Sequence, residues 1–164
     1  MRPSAFRHAF ALFALVLLPA AGCTMRMRQP SEAERDTLSK LVLGLTRDVL
    51  DAAERVDVDA AFRYHSAQPD AAFLIDGKSY TRQSLVEAYR TIYAGVDHQE
   101  IEFGTPSAIV VSDRTVVVTS TGRYVTKMKN GASFARNAVW TYVWVKDGES
   151  WNIRHVHQSF PEDE

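Results

Sequence analysis

The chain holds a single cysteine, Cys23, so no disulfide can form within it and no cysteine cluster can bind zinc. No apolar stretch reaches the roughly 20 residues that a helix needs to cross a bilayer. Lysine and arginine nowhere form a tract, and their 19 charges are outnumbered by 20 acidic ones, so nucleic acid is not an expected partner. Glycine occurs 8 times and proline 6 times in 164 residues, too rarely for a collagen-like or low-complexity chain. What remains, at 46% hydrophobic and 24% charged residues, is the composition of one globular domain with one core.

The N-terminal MRPSAFRHAFALFALVLLPAAGC combines basic Arg2 and Arg7, an apolar run from Ala9 to Leu18 and small residues before Cys23, the build of a secretory signal. Its LLPAAGC resembles the processing site of bacterial lipoproteins, where the signal is cut before the cysteine and the cysteine then carries lipid; Ala20 stands where leucine is usual. On this reading residues 1–22 are the signal peptide, Cys23 is the lipidation site and residues 23–30 are the lipidated cysteine and its tether. The protein would then be a membrane lipoprotein of the cell envelope facing the periplasm. Each buried acyl CH₂ adds about 0.8 kcal/mol, so several chains on one cysteine hold firmly. The alternative is an ordinary signal peptide that carries Cys23 away. Loss of residues 1–22 leaves 17 basic and 20 acidic residues, formally −3.

Ser31 and Glu34 have capping-box spacing, and Leu38, Leu41, Val42, Leu45, Val49 and Ala52 follow at helical steps, which predicts a first helix to about Arg55. Asp57 or Asp59 can cap a second helix over AAFRYHS. Asp76-Gly77 between short apolar runs predicts a hairpin, and Thr81 can cap a third helix through Leu85, Val86, Tyr89, Ile92 and Tyr93 up to Gly95. From His98 onward the chain is rich in β-branched and aromatic residues, broken at Gly104-Thr105-Pro106, Ser112-Asp113-Arg114, Asn130-Gly131 and Asp147-Gly148. These are long antiparallel strands, and the whole reads as α+β, with helices on one face of a curved sheet. PEDE closes the chain, with residues 162–164 as an acidic tail.

The ending VWVKDGESWNIRHVHQSFP and the stretch FLIDGKSYTRQSLVEAYRTIYAG resemble the SnoaL-like branch of the nuclear transport factor 2-like superfamily, with the domain over residues 31–161. The association domain of calcium/calmodulin-dependent kinases ends in a similar His-x-His-x-Ser strand. The resemblance implies a strongly curved antiparallel sheet wrapped around three helices as a cone with an internal cavity, and frequent dimerisation through the sheet. It leaves chemistry open, because isomerases, dehydratases, cyclases, ligand binders and assembly domains share the fold. Two departures stand out: Val139 takes the place of a common arginine two residues before Thr141, and YTRQS lacks the glycine that often opens the third helix. Arg136 or Arg123 would have to supply the missing cation.

In an extended strand, WNIRHVHQSF sets Trp151, Ile153, His155, His157 and Ser159 on one face. The last three can line a pocket, do chemistry, or sit satisfied at the rim. A metal would need a third ligand that no second His-x-His supplies, so neither a metal nor any other cofactor is expected. For proton transfer, His155 or His157 is the candidate base with Asp76 or Tyr80 as partner. The candidate ligand-binding set is Tyr80, Arg136, Trp140, Tyr142, His155, His157 and Ser159. Trp140, Tyr142 and Trp144 alternate with Val139, Thr141, Val143 and Val145, so the strand is apolar on both faces and a homodimer through the sheet is expected. Three readings stay open: a membrane-anchored binder of a small, mostly apolar molecule, an isomerase or dehydratase type of enzyme, and an interaction module without a small ligand.

Overall fold

The computed structural model describes residues 28–161. The expected signal peptide, Cys23, most of the expected tether and the acidic tail lie outside the described residues.

Ser31 opens the first helix, α1 (Glu32–Glu54), through the expected capping box: the Glu34 amide donates to the Ser31 hydroxyl and the Ser31 amide to the Glu34 carboxylate. Its buried stripe includes Val42, Thr46, Val49, Leu50 and Ala53. Thr46 is polar in this stripe because it is used: its hydroxyl donates to the Val42 carbonyl at 2.9 Å and accepts from Trp144 Nε1 at 3.1 Å. The helix stops where Val56 turns left-handed at φ 58°, while the Val56 and Asp57 amides donate to the carbonyls of Ala53 and Ala52.

The second helix, α2 (Val58–Ala61), is a single turn capped by Asp57, shorter than the expected AAFRYHS. The chain leaves it because the following backbone is claimed by the last strand. Ile153 donates to the Tyr64 carbonyl at 2.8 Å, and Ser66 donates to the Ile153 carbonyl at 2.9 Å. Next come β1 (Ala72–Ile75) and β2 (Lys78–Tyr80), joined by Asp76 and Gly77 at φ 49° and 77° as the hairpin requires. Thr81 caps α3 (Arg82–Ala94).

Five longer strands complete the sheet: β3 (Val96–Phe103), β4 (Ser107–Ser112), β5 (Thr115–Met128), β6 (Ser133–Asp147) and β7 (Ser150–Ser159). Their order is β2-β1-β7-β6-β5-β3, with β4 also on β5. All pairs are antiparallel except β1 on β7, which is parallel. The result is an α+β fold in which a curved, unclosed sheet wraps around three helices as a cone.

Strand β5 pairs with β4 over its first third and with β3 over its second half. Between the two, Gly122 is obligatory: a Cβ there would lie 2.0 Å from the Glu102 carbonyl oxygen and 2.7 Å from the Trp140 ring. On the inner side Trp140, Tyr142 and Trp144 are buried, while Val139 on the other face is 42% exposed.

The expected single face of β7 is corrected by a bulge. Val143 pairs with His155 but the next residue, Trp144, pairs with Ile153, so Arg154 is extra. Arg154 ion-pairs with Asp70 and Asp147. The bulge flips the alternation. Trp151 and Ile153 face the core before it, and Val156 and Gln158 face the core after it. His155, His157 and Ser159 register with Val143, Thr141 and Val139 and therefore share their outer face.

Candidate functional site

Inside the cone lies a cavity of about 310 Å³ between α3, the β1–β2 hairpin and the far ends of β5 and β6. Tyr89 and Tyr93, four residues apart on α3, face into it along with Ile92 and Ala88. Tyr80 enters from β2, Gln99 from β3, Tyr124 and Thr126 from β5, and Phe160 follows β7. Ile75, Tyr89, Tyr93 and Tyr124 also wall a separate inner chamber of about 40 Å³, bounded further by Tyr142, Gln158, Phe62 and His65.

The aromatic walls brace one another. Tyr89 meets Phe62 at 4.9 Å and Tyr93 at 5.5 Å between ring centroids, and Tyr124 meets Trp140 at 5.5 Å and Phe160 at 5.8 Å. The polar groups among them are fixed by hydrogen bonds. Gln99 donates to the Ala53 carbonyl at 3.0 Å and to the Tyr93 hydroxyl at 3.5 Å, and Gln158 donates to the Tyr124 hydroxyl at 3.1 Å.

Charge is confined to the mouth, where Asp76, Lys78 and Arg136 stand. The Arg136 guanidinium lies over the Phe134 and Phe160 rings at 5.8 and 5.7 Å. Deeper in, burial pushes the phenols of Tyr89, Tyr93, Tyr124 and Tyr142 up, so they stay protonated at neutral pH. Burial also pushes His65 down to about 3, helped by the positive charge of Arg82, so its imidazole is neutral. The interior thus offers rings, phenolic hydroxyls and amides, and among the described residues no ionised group lines it away from the mouth.

Of the residues singled out from sequence, Tyr80, Asp76 and Arg136 lie at the main cavity and Tyr142 at the inner chamber. Trp140 is fully buried behind Tyr124 and Phe103 and supports the wall from outside. His155, His157 and Ser159 border neither chamber: the bulge at Arg154 sends them to the outer face, where His157 is exposed. Asp76 does approach β7, but its amide donates to the Gln158 carbonyl at 2.8 Å and the neighbouring register pairs Ile75 with Gln158. Among the described residues no three His, Cys, Asp or Glu side chains gather as a metal ion would need. Cys23 lies outside the described residues.

Sequence reasoning missed His65, Gln99, Tyr124, Thr126 and Gln158. Tyr89 and Tyr93 were visible only as members of a helical apolar stripe. Gln158, alternating with Val156 and Phe160, carried a signal that the unseen bulge concealed.

The same fold recurs in solved structures. A nuclear transport factor 2-like superfamily protein from Salmonella enterica serovar Typhimurium aligns at TM-score 0.70 and 17% identity, over 78% of this chain and 94% of that one. A candidate dehydratase of the same family from Streptomyces avermitilis aligns at TM-score 0.68 and 17% identity, over 78% and 99%. A hexachlorocyclohexane dehydrochlorinase of type 2 aligns at TM-score 0.69 and 13% identity, over 80% and 90%. No curated protein matches the sequence. The model of the SnoaL-like domain matches residues 42–163, most of the chain. With its cone, its helices and that match, the chain belongs to the SnoaL-like branch of the nuclear transport factor 2-like superfamily.

Proposed function

We propose that the protein is an envelope lipoprotein whose cone holds a small, uncharged, largely aromatic or alicyclic molecule. The supporting observation is the contrast between mouth and interior. Charges stand only at the rim, while the interior is ringed by neutral tyrosines and two tethered glutamines. Specific sites pair apolar walls with a few placed polar groups in this way, and burying a charged ligand without a counter-ion is costly. Ile92 and Phe134, 52% and 46% exposed at the mouth, give an apolar molecule a surface to meet first.

Anchoring through Cys23 fits this geometry. The first described residue, Arg28, lies 3.8 Å from Asp113 in the turn before β5, and the five residues back to Cys23 span at most about 18 Å. The mouth lies where β5 ends at Met128, some 40 Å of strand further on. The cavity would then open away from the membrane and draw its ligand from the aqueous phase. The outer face, with Val139, Thr141, Val143, His155 and His157, is the surface on which we place a homodimer partner.

The enzymatic alternative has support from the dehydratase and dehydrochlorinase neighbours. The site itself favours binding, because proton abstraction needs a base near working pH and the interior carries a histidine held at about 3 and no carboxylate. A melting-temperature screen of neutral aromatic compounds tests the choice. A compound at a hundred times its dissociation constant stabilises the protein by about 2.7 kcal/mol. The shift should vanish in Ala88→Trp, which fills the cavity from α3, and the compound should be recovered unchanged. Recovery of an isomerised or dehydrated product would favour the enzyme.

A further inference from the structure

We propose that the main cavity selects a ligand bearing a neutral carbonyl group and that the Tyr89 hydroxyl donates a hydrogen bond to the carbonyl oxygen; this rests on the cavity being a ligand site. Four phenols line that cavity, Tyr80, Tyr89, Tyr93 and Tyr124. The Tyr80 and Tyr89 hydroxyls have no hydrogen-bond partner among the described residues, and neither is sealed: unlike His65 Nδ1, each keeps surface that a ligand atom can touch. Tyr89 is the deeper of the two, since it also walls the inner chamber.

The polar groups around Tyr89 are committed in a way that leaves donors in excess. Gln99 gives its amide hydrogens to the Ala53 carbonyl at 3.0 Å and the Tyr93 oxygen at 3.5 Å. A backbone carbonyl can only accept, so the first bond fixes which end of the amide is nitrogen. Gln99 Oε1 in turn receives the Thr126 hydroxyl at 3.5 Å, and the Tyr124 oxygen receives the Gln158 amide at 3.1 Å. Tyr93 and Tyr124 therefore keep their own protons to donate, and no side chain among the described residues accepts either. Beyond the phenol oxygens, the open side-chain acceptor at this cavity is the Asp76 carboxylate, and it stands at the mouth.

A wall of donors selects an acceptor. Phe62 and Tyr93 hold the Tyr89 ring from two sides, at 4.9 and 5.5 Å between centroids. Burial, with the surrounding phenols of Tyr124, Tyr93, Tyr142 and Tyr80, pushes the Tyr89 phenol up, so it meets every ligand as an O–H donor. A carbonyl oxygen brings two lone pairs and no proton, and it matches such a wall. A ligand hydroxyl would have to spend its proton on a phenol oxygen, a weaker acceptor. A carboxylate would be stripped of water away from Lys78 and Arg136, the cations at the mouth. Within about 310 Å³ the rings of a neutral bicyclic ketone lie among the aromatic walls with the carbonyl turned to α3.

Equilibrium dialysis of the full chain with 2-acetylnaphthalene and with 2-isopropenylnaphthalene, which carries CH₂ where the ketone has oxygen, tests this. The ketone should bind about tenfold tighter, the effect of one hydrogen bond. Tyr89→Phe, which removes a hydroxyl that bonds nothing in the protein, should bring the two affinities together while the alkene still binds. Should that variant fail to fold, infrared spectroscopy of the unaltered protein decides: the C=O stretch of bound ketone should lie at lower wavenumber than in hexane. Equal binding of the two by the unaltered protein, a preference undiminished in folded Tyr89→Phe, or a C=O stretch where hexane puts it would overturn the carbonyl site and leave the cavity reading standing. Binding of neither probe would overturn both.

Discussion

Single side chains in this protein carry constraints that a stability measurement can read. Val56 holds a left-handed φ of 58°, a conformation costing a β-branched residue about 1–2 kcal/mol, so Val56→Gly should raise stability by about 1 kcal/mol in denaturant titration. Thr46→Val removes the acceptor of the buried Trp144 N–H and should cost about 1–3 kcal/mol. His65 adds a pH signature. Its folded value of about 3 lies below the unfolded value near 6.5, so between these limits the unfolded chain binds the extra proton. Stability should therefore fall as pH drops from about 6.5 to 3, by up to roughly 1.4 kcal/mol per unit from this group, and that contribution should be gone in His65→Phe. A pH profile identical in both proteins would contradict the buried neutral histidine. Only the path of the chain after α2 reveals His65 as a wall of the chamber.

Among the elements, those whose signals are local were legible. Ser31 with Glu34, Asp76 with Gly77 and the Thr81 cap act over three or four residues, and each appears where the pattern placed it. The last strand was not, because a period-two reading assumes an unbroken ladder. The extra residue Arg154 is set by partners distant in sequence, Asp70, Asp147 and the backbone around His65. One slipped residue moved His155, His157 and Ser159 from the inner face to the outer. His155→Ala and His157→Ala should accordingly leave ligand binding unchanged, whereas Gln158→Leu, which frees the Tyr124 hydroxyl and removes an amide from the chamber wall, should weaken it. Gly122→Ala should lower the melting temperature, because the strand exchange on β5 leaves no space for a methyl group. Overpacking of this kind costs about 1–3 kcal/mol.

Taken together, the cone has its mouth where β5 ends, and the anchor proposed at Cys23 would hold the opposite end of the sheet. Cys23→Ser should move the protein from the membrane to the soluble fraction if the lipid is what holds it there. If the outer sheet face carries a second copy, Val139→Glu should shift sedimentation from dimer to monomer. The order of helices and strands was readable because it follows from hydrophobic period and turn residues, and the cone was what the family resemblance implied. The cavity's lining was not, since its walls come from α1, α2, α3 and six strands and meet only in three dimensions. Its neutral interior behind a charged rim is the feature on which the functional reading depends. Fluorescence titration with N-phenyl-1-naphthylamine, an uncharged diarylamine, examines it without knowledge of the natural ligand. The prediction is saturable enhancement at one probe per chain, abolished in a folded Ala88→Trp variant. No enhancement, or the same enhancement in both proteins, would mean that the cone does not hold such molecules.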